Sequence, residues 1–326
     1  MLSLDIGYEA AMSWSPNTRP NTRPNTNLRT VVTAVIASVV FACLLLAPAY
    51  AQIEGTEILW KIPTKVVARG FYFHSREEIW LTDLLLFSSS RSQVYNPAGE
   101  VYKDLPGGVG LAGIAKHPTK DIYAFCDYVG SAIILTTRYG QPVARMSARR
   151  PANARWSPSG DTLFVVNNYG EVVSIDNGGK QAVIFTGLRH PWDVAPISDD
   201  LLWVSEQGES MGTGRVTLLE RDPAAPSELF RKAAVNVGTH LLNAGGLWPL
   251  RDGEVLAADS AKGQLIKIAR SGKEIVVASD IAPLLAVQAF ANGNGNGNGN
   301  GNGNGEWAAL TREHAIIYGR SEILRR

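Results

Sequence analysis

Cysteine is nearly absent. The 326 residues hold two, Cys43 and Cys126. Cys43 sits in an N-terminal apolar run, so Cys126 is alone in the rest of the chain and no intramolecular disulfide is possible there. A chain of this length can bury enough apolar area to fold without one. Cys126 falls in the run IYAFC and reads as a small buried hydrophobe. Net charge is also scarce. There are 31 Lys+Arg and 30 Asp+Glu, three and two of them ahead of Gln52, leaving 28 of each beyond it. That balance argues against nucleic acid or an anionic membrane surface as the main partner. HExxH, CxxC and P-loop patterns are missing. Helical periodicity of useful length is missing too, which leaves an all-β reading.

The N-terminus has its own logic. Arg19, Arg23 and Arg29 precede Val31–Ala47, an uncharged apolar run of 17 residues, and Ala49-Tyr50-Ala51 follows. Basic, apolar and A-x-A segments in that order predict a secretory signal over 1–51, cleaved after Ala51, and an exported, periplasmic or extracellular protein. Read instead as a membrane anchor, the run would cover roughly 25 Å, short of a ~30 Å hydrocarbon core. No stable span is expected after cleavage, and 52–326 reads as one domain.

Within that domain a cassette recurs. The opening example is Gly245–Asp280, GGLWPLRDGEVLAADSAKGQLIKIARSGKEIVVASD, which divides into four short strands at Arg251-Asp252-Gly253, Asp259–Gly263 and Ser271-Gly272-Lys273. Asp, Asn, Ser and Gly at such breaks tolerate the backbone of tight turns. Its second strand, VLAAD, aligns with IWLTD (Ile79–Asp83), YAFCD (Tyr123–Asp127), FVVNN (Phe164–Asn168) and LWVSE (Leu202–Glu206). Each window has an acid or amide at its fifth position, and each has a strand and turn before it and two strands after it. Five meanders at this period predict a β-propeller of four-stranded antiparallel blades. A β-sandwich would not repeat the cassette.

A sixth unit lacks its fourth strand: Leu284–Ala291, Trp307–Thr311 and Ala315–Leu324 supply only three. The unassigned EILWK of Glu57–Lys61 is predicted to complete that blade and close the ring. Low-complexity Asn-Gly pairs over 292–305 interrupt the sixth unit and read as a solvated insertion.

The pattern over Phe71–Ile281, sharpest in GLWPLRDGEVLAADSAKGQLIKIARSGK, resembles the six-bladed propellers of the NHL-repeat, SMP-30/gluconolactonase and streptogramin-lyase kind. The resemblance implies architecture more than activity, since the fold hosts binding modules, lactonases and lyases. Lactonases of this kind ligate a divalent metal through an acid in the turn that Asp259 matches. WVSEQ (Trp203–Gln207) is similar to the recurrent strand of streptogramin lyases, but occurs once.

The repeat is expected to gather Asp83, Asp127, Asn168, Glu206 and Asp259 on one rim. Such a ring of oxygens suits a hard cation, Ca²⁺ or Mg²⁺; the same residues equally suit hairpin capping. The joining segments add Arg149, Arg150, Asn153, Arg155, Arg189, His190, His240 and Asn243. Loop histidines such as His190 and His240 serve acid–base chemistry or ordinary surface roles. The arginines suit carboxylate or phosphate, or plain solvation. Two functions stay open: a monomeric exported propeller binding a small molecule or protein on its loop face through Asn153, Arg155, His190, Glu206, His240 and Asn243, or a metal-assisted lactone hydrolase or lyase using Asp259, Glu206, Asp83 and Asp127.

Overall fold

The computed structural model describes residues 56–325 except 65–67, 76, 84–88, 97, 209–211, 225–228, 238–240, 291–304 and 314. The signal segment at 1–51, His240 and nearly all of the Asn-Gly tract lie outside the described residues.

The chain opens with β1 (Thr56–Pro63). Blade 1 is β2 (Ala68–Ser75), β3 (Glu78–Asp83), β4 (Ser89–Tyr95) and β5 (Val101–Val109). Blade 2 is β6 (Leu111–Lys116), β7 (Tyr123–Asp127), β8 (Ala132–Thr136) and β9 (Pro142–Ser147). Blade 3 is β10 (Pro151–Trp156), β11 (Thr162–Asn167), β12 (Val172–Asp176) and β13 (Gln181–Phe185). Blade 4 is β14 (Pro191–Ser198), β15 (Leu201–Glu206), β16 (Arg215–Arg221) and β17 (Phe230–Val237). Blade 5 is β18 (Ala244–Pro249), β19 (Val255–Asp259), β20 (Gln264–Ile268) and β21 (Glu274–Ala278). Blade 6 is β22 (Leu284–Ala289), β23 (Glu306–Thr311) and β24 (Ala315–Ser321), with β1 as its outer strand.

The predicted closure is therefore present. Ile58 pairs with Gly319 and Trp60 with Tyr318 in an antiparallel ladder. The first strands β2, β6, β10, β14, β18 and β22 each touch the next, and β22 touches β2, which completes a six-bladed ring around a channel. The described helical structure is two 3-10 turns, Arg251–Gly253 and Glu322–Leu324. No helix among the described residues is long and apolar enough to cross a membrane.

The second strands β3, β7, β19 and β23 are buried at every position, and their apolar side chains fill the space between neighbouring blades. Trp80, Trp203 and Trp307 are fully buried, each stabilising by about 3 kcal/mol if transfer from water alone is counted. Between blades 1 and 2, Trp80 stacks on Tyr123 at 4.2 Å. Across the closure, Phe73 stacks on Tyr318 at 5.6 Å. Cys126 is buried as predicted, and burial pushes its thiol far above the ordinary range.

One local feature shapes the channel. Every first strand slips register near its start, between Ala68 and Phe71, Leu111 and Ile114, Pro151 and Asn153, Pro191 and Asp193, Ala244 and Leu247, and Leu284 and Ala286. A bulge inserts a residue and bends the strand. Small residues allow the blades to approach there. A Cβ on Gly113 would lie 2.0 Å from Asn153 Oδ1.

Candidate functional site

The end of each second strand pairs with the start of each first strand. Asp83 faces Ala68, Asp127 faces Leu111, Asn167 faces Pro151, Glu206 faces Pro191, Asp259 faces Ala244 and Thr311 faces Leu284. This corrects the expected set at one place. The blade 3 member is Asn167, which is buried, and Asn168 is an exposed turn residue. Two adjacent asparagines made the windows ambiguous by one residue, and strand alternation resolves them. Thr311 is the sixth member, hidden in the sequence because it is neither acid nor amide.

In blades 2, 3, 5 and 6 these side chains bind their own hairpins. Asp259 Oδ1 accepts from the Ala261 and Lys262 N–H groups at 2.8 and 3.0 Å, and Oδ2 accepts from Leu242 N–H at 2.8 Å. Asp127 Oδ1 accepts from Val109 and Gly130 N–H, both at 3.0 Å, while Arg145 reaches Oδ2. Asn167 Oδ1 accepts from Tyr169 and Glu171 N–H. Thr311 Oγ1 accepts from Ala315 N–H. In blades 2, 4 and 5 the acid also holds a residue just ahead of its blade: Val109 at the end of β5, and Arg189 and Leu242 in joining loops. The repeated side chain thus pins a joining loop to a hairpin.

Glu206 shows the electrostatics. Burial raises its pKa, but a bidentate Arg215 at 2.7 and 2.9 Å, Arg189 N–H and Thr217 Oγ1 outweigh burial and hold it below the ordinary carboxylate value. Among the described residues no group of three or more His, Cys, Asp or Glu is arranged to hold a metal ion. Asp259, the position where lactonases place a ligand, has both oxygens engaged by backbone N–H groups.

Asn153 and Arg155 lie within β10 rather than in a joining loop, and Arg155 sits inside the channel. Its guanidinium donates to Val194 O (3.0 Å), Asp193 Oδ2 (3.2 Å) and Leu247 O (3.0 Å), linking blades 3, 4 and 5. Asp193 also accepts from Leu247 N–H at 2.8 Å. Burial pushes the Asp193 carboxyl up, and Arg155 and the backbone donors pull it back only in part. Across the ring, the Arg69 guanidinium of blade 1 lies 3.0 Å from the ring centre of Trp192 in blade 4, and Trp192 donates to Leu285 O in blade 6. These contacts almost fill the middle of the channel, where about 10 Å³ remains.

Toward the loop face, arginines gather near Arg69. Arg150 lies 5.9 Å from the Tyr128 ring. Burial lowers the Arg69 pKa to about 9; Arg312 adds to the lowering, while Tyr128 and Asp193 oppose it. No ion pair among the described residues engages Arg69, Arg150 or Arg312. His190 is exposed on the same face. It has a positive φ of 48°, and Arg150 at the same repeat position has φ 37°. Each precedes a proline, where extended backbone is normal. Asn243 holds Ser260 through its backbone carbonyl, at 2.8 Å from the Ser260 N–H. Its side-chain Oδ1 is buried without a partner.

The letters G-x-S-x-G occur once, at Gly208–Gly212. The segment joins two antiparallel strands, not a strand to a helix as a nucleophile elbow requires, and Ser210 lies outside the described residues.

Comparison with known proteins adds a fold. No family model and no curated protein sequence matches the chain. Solved structures do. A gluconolactonase from Xanthomonas campestris is 13% identical with a TM-score of 0.60, covering 84% of this chain and 98% of its own. A virginiamycin B lyase from Staphylococcus aureus is 12% identical with a TM-score of 0.54, covering 81% and 99%. A luciferin-regenerating enzyme is 13% identical with a TM-score of 0.58, covering 84% and 96%. The likeness is one of fold.

Proposed function

We propose that the chain is an exported propeller that binds a small organic anion at the loop-face mouth of its channel. The observation that carries this reading is Arg69, a buried guanidinium in the channel below that mouth, with the Trp192 ring against it and no carboxylate in ion-pair contact among the described residues. Charge in a partly dehydrated mouth is stabilised by an opposite charge from outside. Arg150 and Arg312 supply further positive charge nearby. The positive φ of Arg150 and His190 supports the same face, because left-handed backbone at non-glycine residues costs on the order of 1–3 kcal/mol and concentrates at functional sites. Catalysis is not part of the proposal. The lactonase reading rests on fold alone, and the acid it needs at Asp259 is consumed by its turn.

The test is calorimetric titration of the chain from Gln52 with citrate and with inorganic phosphate. Saturable binding that weakens about tenfold in Arg69→Gln supports the reading, in line with loss of one charge-assisted contact. Absence of binding to both anions, or equal affinity in the variant, defeats it. Export is tested by N-terminal sequencing of the protein recovered outside the cytoplasm; a start at Gln52 is expected, and retention of Met1 in a soluble cytoplasmic fraction is the contrary result.

A further inference from the structure

The opposite mouth of the channel, at the hairpins joining first and second strands, is open. A cavity of about 180 Å³ lies there, and Arg155 separates it from the filled centre, because its side chain lines both spaces. Its walls are largely aromatic, with Phe71, Tyr72, Trp156 and Trp248 among the lining residues together with prolines. Two of the lining residues, Lys116 and Arg155, are cationic, and none is acidic. Trp156 and Trp248 are 9% and 5% exposed, and the indole N–H of each is buried with no acceptor.

The rim is also fixed in place. His117 joins two of the hairpins, with Nε2 3.0 Å from Gly160 O and Nδ1 accepting from Thr119 and Lys120 N–H. Arg155 lies 4.6 Å from the Trp248 ring centre. A preformed wall spares a ligand the cost of ordering it. The size is selective. An apolar cavity of about 150 Å³ takes benzene, whereas drug-sized ligands need roughly 300 Å³ or more.

From this geometry we propose that the hairpin-face mouth is a second binding site, for a small aromatic carboxylate. The ring lies against Trp248 and Tyr72, and the carboxylate faces the two cationic lining residues, Lys116 and Arg155. This site is separate from the loop-face mouth and does not depend on the reading given for it.

Benzoate is the probe, with benzyl alcohol as its uncharged counterpart, and the full chain from Gln52 is the protein. Binding is read by calorimetry and by the indole N–H signals of Trp156 and Trp248 in ¹H–¹⁵N spectra. Benzoate is expected to saturate and to move both indole signals. Lys116→Gln and the change to benzyl alcohol are each expected to weaken binding about tenfold. Arg69→Gln is expected to leave benzoate binding unchanged. Thr119→Trp, an exposed change at the rim, should obstruct the mouth and abolish binding, with an unchanged melting temperature showing that the fold survives. The proposal is overturned by no saturable binding, by equal affinity for benzoate and benzyl alcohol, by equal affinity in Lys116→Gln, or by a loss in Arg69→Gln.

Discussion

The two buried acids Glu206 and Asp193 belong to neighbouring strands of blade 4 and are opposite in electrostatics. Glu206 ends a second strand at the rim, and four donor contacts from Arg215, Arg189 and Thr217 hold its pKa down. Asp193 follows a bulge in a first strand, deep in the channel, and burial holds its pKa up despite Arg155. The rim acid is satisfied locally by the adjacent strand β16 and the loop before its blade. The channel acid depends on blades 3 and 5 being in place. Rim polarity therefore sets local loop geometry, and channel polarity ties the ring together.

Removing the channel acid should have the largest effect. Asp193→Ala strands Arg155 among three blades, and breaking a buried pair costs about 3–5 kcal/mol. Denaturant unfolding monitored by tryptophan fluorescence would read this; a loss below 1 kcal/mol would show that Arg155 finds another partner.

Glu206→Gln should cost less, about 1.5–3 kcal/mol at neutral pH, because it weakens charged hydrogen bonds without emptying the site. Its lowered pKa fixes the sign of the pH effect. The stabilisation is present above the unfolded value of about 4.3 and is lost as pH falls through the lower folded value. The Gln variant should show a shallower loss of melting temperature over that acid interval. Asp193 contributes with the opposite sign: its raised pKa gives stability below the unfolded value of about 3.9 that is lost as pH rises through the folded value. An unchanged acid slope in Glu206→Gln would remove the distinction between the two acids.

A smaller change is expected at Asp259. Replacing it with alanine frees three backbone N–H groups at a turn, and capping side chains of this kind contribute on the order of 1 kcal/mol. Thermal melting tests it. Calorimetry with Ca²⁺ and Mg²⁺ on the unaltered chain should give no saturable heat; a site titrating one equivalent and lost in Asp259→Ala would restore the metal reading.

The smallest contrast separates two neighbours. Asn167→Ala should cost about 1 kcal/mol through its turn bonds, while Asn168→Ala should stay within about 0.5 kcal/mol, as exposed sites usually do. Equal effects would return the repeat register to its ambiguity.

The strands, the repeat and the ring closure were legible in the sequence because each rests on local, periodic signals. Alternation marks a strand, turn residues mark its ends, and a missing fourth strand in the last unit points to the spare one in Glu57–Lys61. The rim acids were legible for the same reason, since Asp127, Glu206 and Asp259 recur at a fixed place in the cassette. Their partners were only partly so. Donors from their own hairpins are nearby in sequence, but Leu242 and Arg189 reach them from the preceding joining loops and Val109 from the end of β5. Arg155 and Arg69 were beyond local reasoning altogether. Arg155 looked like a loop cation because nothing near it in sequence is acidic, and its partner Asp193 is 38 residues away. Arg69 meets Trp192 only because the ring sets blades 1 and 4 opposite each other. The sequence by itself determined how many blades form and where each turns, since neighbouring residues decide backbone conformation. Closure of the ring decided which side chains fill the channel and which mouth stays open, since those contacts join residues that only the third dimension brings together.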